Sequence, residues 1–140
     1  MDIVVDTNVV ISGLLFAGVP GKIVTLWQQK IIKPYISKNI LNEYIRVLAY
    51  PKFQLTNKEI EYLIYQEILP YFEVITPFPD VQSLSNDPGD DKFIHCALAQ
   101  SINTIVSGDS DLLDLQYFKS IRILIATEFL QTLEPEIKID

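Results

Sequence analysis

Cysteine and histidine are nearly absent, with one of each, Cys96 and His95, in 140 residues. A single cysteine excludes an intramolecular disulfide, a CxxC redox motif and a Cys-rich zinc site, and it points to a reducing, cytoplasmic setting. A single histidine excludes a metal-free ribonuclease that uses one imidazole as base and another as acid. His95 reads as a surface or packing residue of a helix, and Cys96 as a small buried or half-buried residue next to the apolar stripe. Long apolar runs are missing as well. The uncharged stretch over residues 7 to 21 contains Thr, Asn, Ser, Gly and Pro and follows Asp2 and Asp6, where a signal peptide carries Lys or Arg. It is shorter than the roughly 20 residues that cross a bilayer. The expectation is a soluble chain with no targeting or membrane segment. Cations are outnumbered, 11 Lys plus Arg against 18 Asp plus Glu for a net charge of -7, which excludes a protein that coats nucleic acid regardless of sequence.

With 49% hydrophobic residues the chain can bury a real core, and its length implies one domain, placed over residues 1–134 with a loose acidic tail over 135–140. The charge is unevenly spread. Residues 7 to 58 carry seven cations and only one acid, Glu43, a balance of +6, whereas residues 59 to 140 carry four cations and fifteen acids, a balance of -11. This pattern arises either from chance clustering on solvated faces or from a basic flank beside an acidic pocket.

Short apolar runs alternate with helical patterns, the rhythm of a parallel sheet covered by helices. Ile3 to Val5 predicts a first strand ending at Asp6, and Pro20 opens a helix through Ile23, Val24 and Trp27. A second strand is expected around Ile31 to Ile36, then Ser37 as the cap of a helix striped by Ile40, Leu41, Tyr44, Ile45 and Leu48 and stopped by Pro51. Thr56 with Glu59 forms a capping box that opens a helix to about Leu69. Phe72 to Ile75 is a third strand candidate, followed by a polar loop over 76–89. Asp90 or Asp91 opens a helix bearing Phe93, Ile94, Ala97, Leu98 and Ile102. A fourth strand runs from Thr104 to Ser107, Leu112 and Leu113 suggest a helical turn, and a fifth strand spans Ile121 to Ile125 before a helix capped by Thr127. Trp27 and the seven tyrosines could stack bases, but at helical spacing they read first as core.

In an open parallel α/β sheet, ligands bind outside the carboxyl ends of the strands. Asp6 lies at that end of the first strand, Asp109 just past that of the fourth, and Asp91 in the first turn of a helix that starts at the same edge. Glu43 lies roughly 9 Å along its helix from the Ser37 cap, off the apolar stripe. Four acids from four segments thus approach one edge, and their mutual repulsion calls for a cation. Carboxylate-only sites favour Mg²⁺ or Mn²⁺, which can activate water and stabilise a leaving oxygen in phosphodiester hydrolysis. Each acid also has an ordinary reading: Asp6 as a helix cap, Asp90 and Asp91 as partners of a helix dipole, Glu43 as a solvated surface residue, Asp109 and Asp111 as turn residues.

The ordered set Asp6-Thr7-Asn8-Val9-Val10, Leu41-Asn42-Glu43-Tyr44, Asp87-Pro88-Gly89-Asp90-Asp91-Lys92-Phe93 and Val106-Ser107-Gly108-Asp109-Ser110-Asp111-Leu112 resembles the PIN domains, in particular the VapC-type ribonuclease toxins of toxin-antitoxin systems. The resemblance runs from Asp2 to about Leu133. It implies a three-layer α/β/α sandwich with a mainly parallel sheet of about five strands and a Mg²⁺ or Mn²⁺ site that cleaves RNA. Asp6, Glu43 and Asp91 match the first three family acids, and Asp109 the fourth, with Asp111 as the other acid of that motif. Thr7, Asn8 and Ser107 match polar positions that support the acids, with Asp90 beside them; Ser107 stands where Thr is common. The resemblance further implies a homodimer and a small cognate antitoxin protein.

The leading expectation is a metal-dependent endoribonuclease in which Asp6, Glu43, Asp91 and Asp109 hold the metal. Candidate RNA contacts in the basic segment are Lys22, Lys33, Lys38 and Arg46. A non-catalytic PIN-like module that binds RNA or protein is the alternative. A phosphatase with Asp6 as covalent nucleophile is a third reading, weakened because Asp6-Thr7-Asn8 lacks a second acid two residues on.

Overall fold

The computed structural model describes residues 1–16, 18–75 and 91–133. Asp90, the polar loop expected over 76–89 and the tail expected over 135–140 lie outside these residues. The strands are β1 (Asp2–Val5), β2 (Lys33–Ser37), β3 (Glu73–Ile75), β4 (Thr104–Val106), β5 (Tyr117–Phe118) and β6 (Ile121–Leu124). They form one sheet in the order β3-β2-β1-β4-β6-β5, parallel except for β5, which pairs antiparallel with β6 at the edge. Ile3, Val4, Val5, Ile105 and Val106 are fully buried, as expected where helices cover both faces of central parallel strands. The architecture is the α/β fold expected from the alternation of apolar runs. β5 has no counterpart in that reading, because two residues present no periodicity.

The helices are α1 (Thr7–Leu15), α2 (Val19–Gln28), α3 (Lys38–Leu48), α4 (Asn57–Tyr62), α5 (Asp91–Ala99), α6 (Ser110–Leu113) and α7 (Ala126–Leu133). α1 fills a stretch in which the pattern analysis placed no element. Its sequence, TNVVISGLL, has a β-branched run and a glycine, both unfavourable in an isolated helix. Burial of Val9, Val10 and Ile11 and capping by Asp6 outweigh that propensity. Gly13 lets α1 approach α2 closely, since a Cβ there would lie 2.6 Å from the carbonyl oxygen of Pro20 and 2.7 Å from Val24 Cγ2.

Other boundaries shift by a residue or two. β2 starts at Lys33 and not at Ile31, and Ser37 both ends β2 and caps α3 through the Ile40 amide at 3.2 Å. The Thr56–Glu59 capping box is present, and α4 continues in a π-helical turn over Leu63–Ile68. Thr127 does not cap α7. The Phe129 amide bonds the Ile125 carbonyl at 3.0 Å, so the helix begins earlier and Thr127 sits inside its first turn. Among the described residues no single helix is long and apolar enough to cross a membrane.

The chain leaves β1 for β2 and β3 on one side and returns to place β4 on the other. The strand order therefore reverses between β1 and β4, where such sheets open a binding crevice at their carboxyl ends.

Candidate active site

Asp6 follows β1 directly, and its backbone amide still bonds the Val106 carbonyl at 2.9 Å. Its side chain caps α1: one oxygen accepts the Val9 amide at 3.0 Å, and the other accepts the Gly108 amide at 3.1 Å and the Ser107 hydroxyl. Asp6 is 3% exposed. Burial raises its pKa above the ordinary 3.8, against the lowering effect of these hydrogen bonds, and the charge of Asp109 pushes it the same way as burial. The carboxylate is thus surrounded by neutral dipoles and a like charge.

Ser107, wholly buried at the end of β4, joins the two acids. Its hydroxyl donates to Asp6 while its oxygen accepts the Asp109 amide at 2.9 Å. Asp109 in turn caps α6 by accepting the Asp111 amide at 2.8 Å. The switch point of the sheet therefore carries an acid from each of its two flanking strands, joined by one hydroxyl.

Glu43 arrives from α3. The Tyr44 hydroxyl donates to the Val5 carbonyl at 3.1 Å, which pins α3 to β1 one residue before Asp6. The Glu43 carboxylate accepts from the Thr7 hydroxyl, pairs with Lys92 at 2.9 Å and meets Arg46 at 3.4 Å. Asp6, Glu43 and Asp109 line one cleft of about 360 Å³, together with Thr7 and the exposed Asn8. Phe16, Tyr50, Phe53, Arg46 and Lys52 line the same cleft.

Not every other candidate residue lines the cleft. Asp91 is the first residue of α5 and 4% exposed, and it is not on the cleft wall; nor is Asp111. Of the candidate RNA contacts only Arg46 lines the cleft. Lys33 begins β2, at the amino end of the sheet, and pairs with Glu73 at 3.6 Å. Lys22 and Lys38 are exposed on α2 and α3, away from the lining. Lys52 and Lys92 were missed as site residues. Lys92 adjoins Asp91 in sequence, the only signal that could have drawn attention to it. Cys96 is fully buried, its thiol pushed up to about 12 by that burial, which makes it a poor nucleophile. Trp27 is core, 1% exposed.

The donor set is all oxygen, which suits a hard divalent ion. Among the described residues no three of His, Cys, Asp and Glu stand close enough to hold a metal ion together. Mg²⁺ commonly takes one or two carboxylates and fills its other positions with water, so a cleft lined by Asp6, Glu43 and Asp109 has the donor chemistry for such an ion.

A family model for the PIN domain matches residues 2–111, a span that includes β1, α3, β4 and all three cleft acids. The chain belongs to the PIN domain family. The uncharacterized protein MJ1680 of Methanocaldococcus jannaschii is 33% identical over 124 residues, covering 81% of this chain and 74% of that protein. PIN domains are generally nucleases, and the cleft acids of this PIN domain stand where its sheet topology opens a ligand crevice.

Proposed function

We propose that this PIN domain is a metal-dependent endoribonuclease, acting as the toxin of a toxin-antitoxin pair. The observation that carries the catalytic part is the buried Asp6, whose pKa is raised and whose carboxylate accepts from the same Ser107 hydroxyl that receives the Asp109 amide, both acids lining the cleft. Such a pair is costly alone and favourable beside a divalent ion.

Asp6 and Asp109 would hold the ion, with Glu43, on the same cleft, orienting a water, and Asp91, at the start of α5, would add a fourth carboxylate. Mg²⁺ or Mn²⁺ at this position supplies Lewis acidity, making water nucleophilic at neutral pH and stabilising the departing oxygen. Ser107 and the Val9 and Gly108 amides fix the Asp6 carboxylate so that it does not reorganise during reaction. Arg46 and Lys52 offer positive charge to the phosphates of the RNA. The antitoxin protein and a homodimer belong to the same proposal.

The test is cleavage of a panel of RNAs by wild type and Asp6→Asn, with Mn²⁺, Mg²⁺ or chelator. Metal-dependent cleavage that falls on the order of 10²–10³-fold in Asp6→Asn is expected, the size of losing one group that stabilises the transition state. Full activity in that variant, or in chelator, overturns the mechanism. One observation favours the non-catalytic alternative: Glu43 is already neutralised by Lys92 and Arg46. A calorimetric titration showing no Mn²⁺ binding while RNA still binds would decide for that alternative.

A further inference from the structure

The cleft that the three acids line is also lined by groups of a different chemistry. Phe16, at the end of α1, and Phe53, in the short 3₁₀ turn Pro51–Phe53, place their ring centroids 6.3 Å apart at 49°. Tyr50 joins them on the same wall. Phe16 is 58% exposed and Tyr50 42%, a cost in water that a folded chain ordinarily avoids by turning such rings inward. The turn that presents Phe53 ends in Gln54 at φ 52°, a left-handed conformation uncommon outside glycine and asparagine. Lys52 stands 5.1 Å from the centre of the Phe53 ring, and among the described residues no carboxylate pairs with it. Arg46, whose side chain is 68% exposed, lies on the same wall as Glu43, which it meets at 3.4 Å.

We infer that the cleft holds a nucleotide subsite, in which an unstacked base lies on the Phe16 and Phe53 rings while Lys52 and Arg46 take the adjoining phosphate. The inference rests on the nuclease reading above and specifies its substrate. Every base offers a π-face, so the subsite tolerates sequence but demands a base free to leave its neighbours, as in single strands and loops. Cations beside apolar rings match a nucleotide, which is anionic at one end and flat and apolar at the other; an apolar peptide would leave Lys52 unsatisfied.

The experiment measures kcat and KM for cleavage of a single-stranded oligoribonucleotide, in which an abasic residue is walked across the positions flanking the cut. For wild type, one flanking position raises KM roughly tenfold when abasic, and Phe16→Ala/Phe53→Ala raises KM by a similar factor on the intact substrate. The abasic penalty then vanishes in the double variant, and Phe53→Tyr restores KM. Should the double variant fail to fold by circular dichroism, Phe16→Ala alone, at an exposed position, carries the same comparison. Wild-type KM in the ring variants, or an abasic penalty that persists in them, overturns the subsite alone and leaves the rings as a surface for a protein. Failure of wild type to cleave any RNA with Mn²⁺ overturns the nuclease reading and the subsite with it.

Discussion

Asp6 and Glu43 face the same cleft with the same charge, yet their surroundings are opposite. Asp6 is buried, held by a hydroxyl and two amides, and the charge that acts on it beside them is the like charge of Asp109. Glu43 is clasped by a hydroxyl and two cations from two helices, and its demand for positive charge is met within the chain. The contrast separates two ways of keeping a carboxylate inside a protein. Neutral dipoles fix its position without cancelling its field, whereas cations cancel the field and make the group chiefly structural until substrate or metal competes for it. In the proposed function, Asp6 is therefore the carboxylate at which a metal ion would gain most.

The contrast is most easily broken at Ser107. Ser107→Ala removes the bridge between Asp6 and Asp109, and RNA cleavage is expected to fall about 10- to 100-fold, with a stability loss of about 1–3 kcal/mol in a chemical denaturation curve. Ser107→Thr, which keeps the hydroxyl, should lose less of both. Activity preserved in Ser107→Ala would show that the two acids are placed independently.

Proton linkage gives the second test. The Asp6 pKa is raised in the folded chain, so between 3.8 and that raised value the folded state binds more protons than the unfolded state, and stability falls as pH rises through this window. Without divalent ion, acidification from about pH 7 toward about pH 4 therefore benefits wild type relative to Asp6→Asn. Glu59 works in the opposite sense: its capping-box bonds hold its carboxyl below 4.5, and its contribution is lost as pH falls through the lowered value. Glu59 is unchanged in the variant, so the difference between the two proteins isolates Asp6. Mn²⁺ competes with the proton for the same carboxylate, so the rise in Tm on adding Mn²⁺ should be larger at about pH 7 than at about pH 5, and absent in Asp6→Asn. An equal rise in the variant would place the ion elsewhere.

The Glu43 side is expected to respond through stability. Lys92→Met removes a pair at 2.9 Å whose side chains are only 20% and 17% exposed, and should cost about 1 kcal/mol by denaturant titration. Arg46→Gln, at a pair whose arginine is 68% exposed, should change stability by no more than about 0.5 kcal/mol. A large loss in Arg46→Gln would show that the guanidinium carries structural weight that its exposure conceals.

Much of this arrangement was legible in the sequence because strands in a parallel sheet are short apolar runs with a common direction. Knowing where β1 and β4 end places Asp6 and Asp109 at one edge before any coordinate is known, and the Ser37 and Thr56 caps were readable for the same local reason. What escaped depends on tertiary packing. α1 forms against the propensity of TNVVISGLL because α2 and α3 bury it, and that helix carries Thr7 to Glu43. The cation that neutralises Glu43 is Lys92, 49 positions away on α5, and neither periodicity nor composition selects it from the other lysines. The aromatic wall joins the end of α1 to a 3₁₀ turn, two segments whose proximity no spacing announces.

The Ser107 bridge also bears on how the protein is made. The hydroxyl that positions Asp6 lies 101 residues further along the chain, so the first acid is not oriented until β4 and the residue after it have been made. A growing or truncated chain that lacks β4 holds Asp6 and Glu43 but neither Ser107 nor Asp109. The pairing of the two acids is thereby withheld until β4 docks beside β1, and a fragment that ends before β4 carries only part of the cleft.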